Sequence, residues 1–254
     1  MLRAEEVAVR YNGTPALSGI SFEVATGERI AVVGPNGAGK STLFKVIAGI
    51  LPTTAGEVQV AGHAPGGHIC IAYLPQRSEV DWRFPVTVSD VVMMGRYGQL
   101  GFLKRPGRED RKRVHEALRV VGMEALARRQ IAELSGGQQQ RMFIARALAQ
   151  EAELILMDEP LSGLDLPAQE QIMAILETLR EQRVTVIVAT HDLNLAAEHF
   201  DRLLLLKGRL IGIGKPQEVL TPEHLAAAYG GQLRLVETAE GTFVLQDTCC
   251  GGGH

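Results

Sequence analysis

Three short runs rich in apolar and β-branched residues, "VAVRY", "GISFEV" and "RIAVVG", fall within residues 2–33. Turn chemistry separates them at Asn12-Gly13 and Thr26-Gly27, so the region predicts three strands. Glycines follow, then a helix over Lys40 to Ala48, then two further strands in "GEVQVAG" and "HICIAYLPQ". From Val86 to Gln130 the texture turns helical, and the basic patch "LKRPGREDRKR" at 103–113 reads as a solvated helix start. Ser135 is placed to cap a helix running to Ala149, whose first turn carries only Gly136 and Gly137. "LILMDEP" at 154–160 is a buried-strand run ending in acids. "PAQEQIMAILETLREQ" puts Ile172, Ile175, Leu176 and Leu179 on one helical face. "VTVIVATHD" is another buried strand, and "RLLLLKGRLIGIG" a hairpin turning at Lys207-Gly208. Short helices near 216–229 and two weak strands, "LRLVE" and "TFVLQ", complete the pattern. Parallel-type strands alternating with helices predict an α/β fold.

Composition narrows the partners. The 254 residues hold 46% hydrophobic and 22% charged positions, as in an ordinary globular protein. A net charge of −3 leaves no basic excess for a nucleic-acid footprint, so no nucleic-acid partner is expected. No apolar run is long enough to span a membrane, and the start, "MLRAEEVAVR", has no apolar signal segment. Cys70, Cys249 and Cys250 do not form a disulfide framework. The expectation is a cytoplasmic protein with reduced thiols.

Residues 34–42, "GPNGAGKST", fit G-x-x-x-x-G-K-[ST] with a strand before and a helix after. The backbone along Gly34, Pro35, Asn36, Gly37, Ala38 and Gly39, and on to Thr42, wraps a phosphate in such a loop, with the glycine N–H groups lining it. Lys40 reaches the β- and γ-phosphates and Ser41 ligates Mg²⁺. Asp158 and Glu159 end an apolar strand, where acids of a parallel sheet face its ligand. Asp158 is the candidate for the Mg²⁺ shell and Glu159 for orienting or deprotonating a water. On their own, the same two acids before Pro160 could cap a helix. His191 and Gln76 also close strands: each can touch the γ-phosphate, water or Mg²⁺, or be a satisfied rim residue. The uncovered helix start at "LSGGQQQR" is built to approach an anion.

These motifs carry a resemblance. "GPNGAGKST", "LSGGQ" at 134–138, "LILMDEP", "SGLD" at 162–165 and "ATHD" at 189–192 stand in the order found in ATP-binding cassette (ABC) ATPases. The resemblance covers about residues 2–230. It implies a P-loop NTPase (RecA-like) core, an N-terminal antiparallel β subdomain and an inserted helical subdomain at about 86–150. Residues 231–254 are then an extension, a strand pair with a flexible tail. It further implies that Tyr11 stacks on adenine and that Gln76 is the family's glutamine loop. Two cassettes would sandwich two ATP molecules with Mg²⁺ as a homodimer. Ser135, Gly136, Gly137 and Gln138 would meet the γ-phosphate held by the other subunit, with Asp165 along the seam.

A single, unsplit cassette resembles a transport subunit more than translation-factor or DNA-repair relatives. Its membrane-spanning permease must be a separate chain, which places this one peripherally on the cytoplasmic face of the membrane. "DWRFPVTVSDVVMMGRYGQLGFLKRP" at 81–106 is similar to cassettes of manganese, zinc and iron importers, with the siderophore and cobalamin branch as the alternative. Such importers receive cargo from an extracytoplasmic metal-binding protein. A stand-alone ATPase acting on a soluble partner is the rival class. Thr87 and Asp90 form a capping box before a helix starting near Val88. Val88, Val91, Val92 and Met94 are divided between a core and an outward patch for the permease, with Arg96 and Tyr97 at its rim. Cys249, Cys250 and His254 are soft ligands that could sense a metal or belong to a disordered terminus. His63, His68, His115, His199 and His224 are scattered and read as surface or core residues.

Overall fold

The computed structural model describes residues 1–65, 70–100 and 105–230 in full, and the backbone of 233–238 and 241–246. The strand-like N-terminal runs divide between two sheets. β1 (Leu2–Tyr11) and β2 (Thr14–Val24) pair antiparallel, and β4 (Ala55–Val60) adds on the other side of β1. β3 (Arg29–Val33) enters a six-stranded sheet of order β5-β6-β7-β3-β8-β9. Its other members are β5 (Ile71–Leu74), β6 (Leu154–Asp158), β7 (Thr185–Thr190), β8 (Arg202–Leu206) and β9 (Leu210–Gly214). The first five in spatial order run parallel, and β9 returns antiparallel on β8 through the turn at Lys207-Gly208. β5 is shorter than the run "HICIAYLPQ" suggests, because pairing with β6 covers only Ile71 to Leu74.

Both faces of the parallel sheet are covered, which is why its strands read as unbroken apolar runs. In β3, Ile30 and Val32 face one core while Ala31 and Val33 face the other. The first core lies under the antiparallel sheet and α1 (Lys40–Ile47), which buries Leu43, Phe44, Val46 and Ile47. The second joins the opposite sheet face to the helical region and to α6 (Leu166–Glu181). All four residues expected on one face of α6, Ile172, Ile175, Leu176 and Leu179, are buried there.

The helical region comprises α2 (Val88–Met94), α3 (Tyr97–Leu100), α4 (Arg108–Val120) and α5 (Gly136–Ala149). α7 (Leu193–His199), α8 (Pro216–Val219) and α9 (Pro222–Tyr229) follow β7 and β9. β10 (Leu233–Thr238) and β11 (Gly241–Gln246) form the antiparallel pair expected near the C-terminus. His68, Cys249, Cys250 and His254 lie outside the described residues. Among the described residues no helix is long and apolar enough to cross a membrane.

The capping box of α2 is present: Thr87 Oγ1 accepts from Asp90 N–H and Asp90 Oδ2 from Thr87 N–H. The expected sharing of its apolar residues is lopsided. Val88, Val91 and Val92 are all buried in the second core, and only Met94, 40% exposed, faces outward. Arg96 does not stand at an outer rim. It is buried, with Nε donating to Asp110 Oδ1 at 3.1 Å and Nη1 donating to Glu151 Oε2 at 2.7 Å and Ala149 O at 2.8 Å. Burial opposes its charge, but the bonds to Glu151 and Asp110 raise its pKa overall. The chain turns at Gly95, and two carboxylates on the neighbouring elements draw the guanidinium inward; periodicity along α2 carries no sign of them.

Arg96→Met leaves Asp110 without its cation and is expected to lower the unfolding midpoint by several degrees. The Gly107 N–H and then Arg96 hold the Asp110 carboxyl below its ordinary value. A carboxyl depressed in the fold stabilises above its unfolded pKa and loses that contribution as pH falls through the folded one. Denaturant titrations of parent and variant should show a steady stability gap near neutrality that closes in acid. A gap unchanged at low pH would remove the ion pair as its cause.

Candidate functional site

Four chain segments reach one edge of the parallel sheet. β3 runs into the loop Gly34–Gly39, β6 ends at Asp158, β7 at Thr190 before His191, and β5 at Leu74 just ahead of Gln76. Spatial order puts them side by side, so residues more than 100 positions apart in sequence meet at the carboxyl ends of the strands.

The loop is shaped by close approach. A Cβ on Gly34 would lie 2.2 Å from the Leu206 carbonyl oxygen. Gly39, at φ +96, adopts a left-handed conformation, and a Cβ there would meet Leu17 Cδ2 at 2.7 Å and Ala16 O at 3.0 Å. β2 and β8 thus clamp the loop from outside. Gly39 caps α1 without a side-chain hydrogen bond, and the first turn holds no acid. By contrast Thr87, Ser135, Asp165, Asp192 and Thr221 each cap their helices with a side-chain oxygen. α1 therefore keeps its first N–H groups and positive dipole end for something other than its own side chains.

Lys40 Nζ donates to Gly34 O at 2.7 Å and Pro35 O at 3.2 Å from within the loop. Burial lowers its pKa, while Glu159 and Asp158 pull the other way. Asp158 is buried, and desolvation raises its carboxyl against the lowering effect of a hydrogen bond with Ser41. Tyr73 Oη donates to Asp158 Oδ2 at 3.5 Å, and burial then Asp158 push the phenol up. Sequence reasoning passed over Tyr73; its signal was a polar-tipped aromatic in a strand that pairs with β6. The buried Asp158 carboxylate and the Ser41 hydroxyl form a hard oxygen pair suited to a divalent cation. Gln76 is exposed at the rim.

Glu159 has φ +49, a left-handed conformation unusual for a side-chain-bearing residue. Its N–H bonds to Ala189 O at 3.0 Å, which pins it to the end of β7. Its Oε1 lies 3.3 Å from His191 Nδ1. Thus Glu159 and His191 meet, and the capping alternative for the acid pair is not realised, since Asp165 caps the following helix by accepting from Ala168 N–H at 3.1 Å. Tyr11, 47% exposed at the end of β1, presents an open ring. Asn36 and Gly37 are exposed, Ala38 is buried, and Thr42 is half-buried in the first turn of α1.

The second segment lies apart, at the start of α5. Ser135 N–H donates to Gln138 Oε1 at 3.0 Å and Gln138 N–H to Ser135 Oγ at 3.4 Å, closing the cap. The glycines after it are less bare than the sequence suggests. A Cβ on Gly136 would meet Arg77 Nη1 at 2.5 Å, and one on Gly137 would meet Ala168 Cβ at 2.8 Å. Among the scattered histidines, His63 and His115 are exposed, His199 is half-buried, and His224 Nδ1 lies 3.0 Å from Val219 O. Among the described residues no group of three or more His, Cys, Asp and Glu side chains could hold a metal ion.

Known proteins share this arrangement. The family model described as "ABC transporter" matches residues 17–162. The zinc transport system ATP-binding protein TroB of Treponema pallidum is 47% identical, covering 91% of this chain and 88% of its own. The manganese transport system ATP-binding protein MntB of Bacillus subtilis is 46% identical, over 92% and 94%. The chelated iron transport system membrane protein YfeB of Yersinia pestis is 43% identical, over 92% and 80%. A chain of an ABC transporter solved in an inward-facing conformation superposes with a TM-score of 0.82, at 32% identity over 96% of this chain and 95% of that one. The ATP-binding cassette MJ0796, a dimer in a post-hydrolysis state with ADP and phosphate, gives 0.72 at 29% identity over 85% and 99%. With an uncapped phosphate loop facing strand-end carboxylates and these matches over most of its length, the chain belongs to the ABC transporter family, as an ATP-binding and ATP-hydrolysing subunit.

Proposed function

We propose that the protein powers uptake of a divalent metal ion, manganese, zinc or iron, as an ATP-closed homodimer beneath a separate membrane-spanning permease. It would sit on the cytoplasmic face of the membrane, with cargo delivered by an extracytoplasmic binding protein. The observation that carries the chemistry is the start of α1, left without a side-chain cap or an acid in its first turn, with Lys40 inside its loop and Asp158, Glu159 and His191 along the same sheet edge. The cargo rests on the names of its relatives, which cover zinc, manganese and chelated iron systems.

In this reading the α1 N–H groups and Lys40 hold the ATP phosphates, and Tyr11 stacks on the base. Mg²⁺ bound with the nucleotide supplies charge neutralisation; Ser41 and Asp158 would hold it, with Gln76 at the rim. Glu159 accepts a proton from water as that water's oxygen attacks the γ-phosphorus, and the bond to the β-phosphate oxygen breaks. His191, 3.3 Å from the carboxylate, orients it. Ser135, Gly136, Gly137 and Gln138 complete the partner's site, with Asp165 beside the seam.

The permease contact is read from an open groove of about 380 Å³ between the sheet edge and α5, lined by Ile50, Tyr73, Pro75, Phe143, Arg146 and Gln150. Ile50 is 60% exposed. Gln99 Nε2 donates to Gln150 O at 2.8 Å, which brings α3 and the 55%-exposed Tyr97 to the end of this groove. Exposed apolar side chains around a groove suit an apolar helix of the permease.

Glu159→Gln keeps the side-chain shape and removes the proton acceptor. ATP should still bind while turnover falls by about 10²–10⁴-fold, and dimers should persist in ATP. Paired ATPase and sedimentation measurements check this; near-normal turnover removes Glu159 from the role. In a second test, Lys40→Ala and Ser135→Arg subunits are each expected to be inactive alone. Mixed, they form one doubly damaged site and one intact site, and ATPase activity should reappear. Wild-type activity in Ser135→Arg alone contradicts the shared site. For the dock, Ile50→Asp or Tyr97→Asp should abolish co-purification with membranes and cellular uptake of manganese, zinc or iron, while the purified variants fold and bind ATP. Uptake surviving in both folded variants places the dock elsewhere.

A further inference from the structure

The loop after Gln76 and the turn at Ser135–Gln138 are joined within one chain by Arg77, a residue that neither motif includes. Arg77 opens a single 3-10 turn, Arg77–Glu79. Its Nε donates to Gln139 Oε1 at 3.1 Å, and the buried Gln139 donates from Nε2 to Leu134 O at 3.3 Å. The guanidinium fills the space over Gly136, where a Cβ would lie 2.5 Å from Nη1 and 2.9 Å from Cζ. The same short segment is fastened again on each side. Trp82 Nε1 donates to Arg77 O at 3.1 Å, and the Trp82 ring meets Phe143 of α5 edge-on at 5.6 Å. Glu79 Oε1 lies 3.2 Å from Lys45 Nζ, one turn along α1 from Lys40 and Ser41.

Stability alone does not select this arrangement. A cation beside a helix N-terminus works against the helix dipole. Arg77 stands at that end of α5 all the same, and the loss of a Cβ at Gly136 makes room for it. Its planar fork bonds Gln139 through Nε while Nη1 and Cζ occupy the space beside Gly136, a geometry a lysine cannot reproduce. The positive charge also adds to the anion-attracting field of the Ser135–Gln138 turn.

We propose that Arg77 is a positioning residue that couples the two nucleotide sites of the dimer. It holds the turn that serves the partner's γ-phosphate to the loop that carries Gln76 beside the chain's own nucleotide. The inference rests on the shared-site reading given above. Its consequence is that ATP at one site sets the signature turn for the other. Removing Arg77 leaves nucleotide binding by the single subunit intact but weakens closure of the pair.

The test uses the full chain in the Glu159→Gln background, where ATP-driven dimers can be counted by sedimentation. ADP binding to the monomer is followed alongside. Arg77→Ala should leave ADP affinity unchanged and raise the ATP concentration for half-closure by about tenfold, the effect of losing one hydrogen bond from a charged donor. Gln139→Leu, which removes the acceptor, should reproduce that shift, and the double variant should shift no further than either single one. Gln139→Glu, which keeps an acceptor for the guanidinium but gives up the bond to Leu134 O, should close at a lower ATP concentration than Gln139→Leu. If the parent itself does not close in ATP, the shared-site reading falls and takes the inference with it. If the parent closes and Arg77→Ala closes at the same ATP concentration, the coupling role is overturned and the dimer stands. Should Arg77→Ala lose its fold by circular dichroism, Gln139→Leu decides by the same two criteria.

Discussion

The register of the parallel strands is the constraint on which the site depends. Asp158 pairs with Ala189, Val33 with Thr190 and Leu74 with Met157, so β3, β5, β6 and β7 run out at one level. A slip of one residue in β6 would turn Asp158 toward the opposite core and bring Met157 to the edge. Two apolar faces prevent that slip, because each strand is locked by residues pointing both ways. The desolvated Lys40 and Asp158 are tolerable at this edge because each compensates the other and neither is sealed off from what binds there.

The helical region is not a separate module laid on this sheet. Its valines, Met142, Phe143 and Ile144 belong to the same core as Ala72, Ile155 and Val188 of the strands. Motion of α5 is therefore constrained by side chains it shares with β5 and β6, and by the short segment from Arg77 to Trp82. Buried ions reinforce the far side, where Arg96 ties α4 and the end of α5 together.

The fold was largely legible because periodicity reports burial directly. α6 shows this, with its four predicted apolar positions all buried, and so do the caps at Ser135 and Thr87, which are local in sequence. The phosphate loop and the pair Asp158–Glu159 were legible because glycine spacing and strand-end acids are written in adjacent residues. What escaped was non-local. Arg96 looked like a rim residue because Asp110 and Glu151, which bury it, lie on other elements. Tyr73 and Arg77 carried no motif, and their partners Asp158 and Gln139 are reached only through folding. The division of β1, β2 and β3 between two sheets was absent from the strand pattern, since three successive strands read alike, and entered only through the resemblance, which implied an antiparallel β subdomain apart from the core.

The left-handed backbone of Glu159 is a local strain, of the order of 1–3 kcal/mol for a residue of this kind. Glycine or asparagine would relax it. Selection for heat resistance alone would therefore tend to replace the very residue positioned beside His191. Under the role proposed for Glu159, hardening this protein by screening survivors of heating trades turnover for toughness at that position.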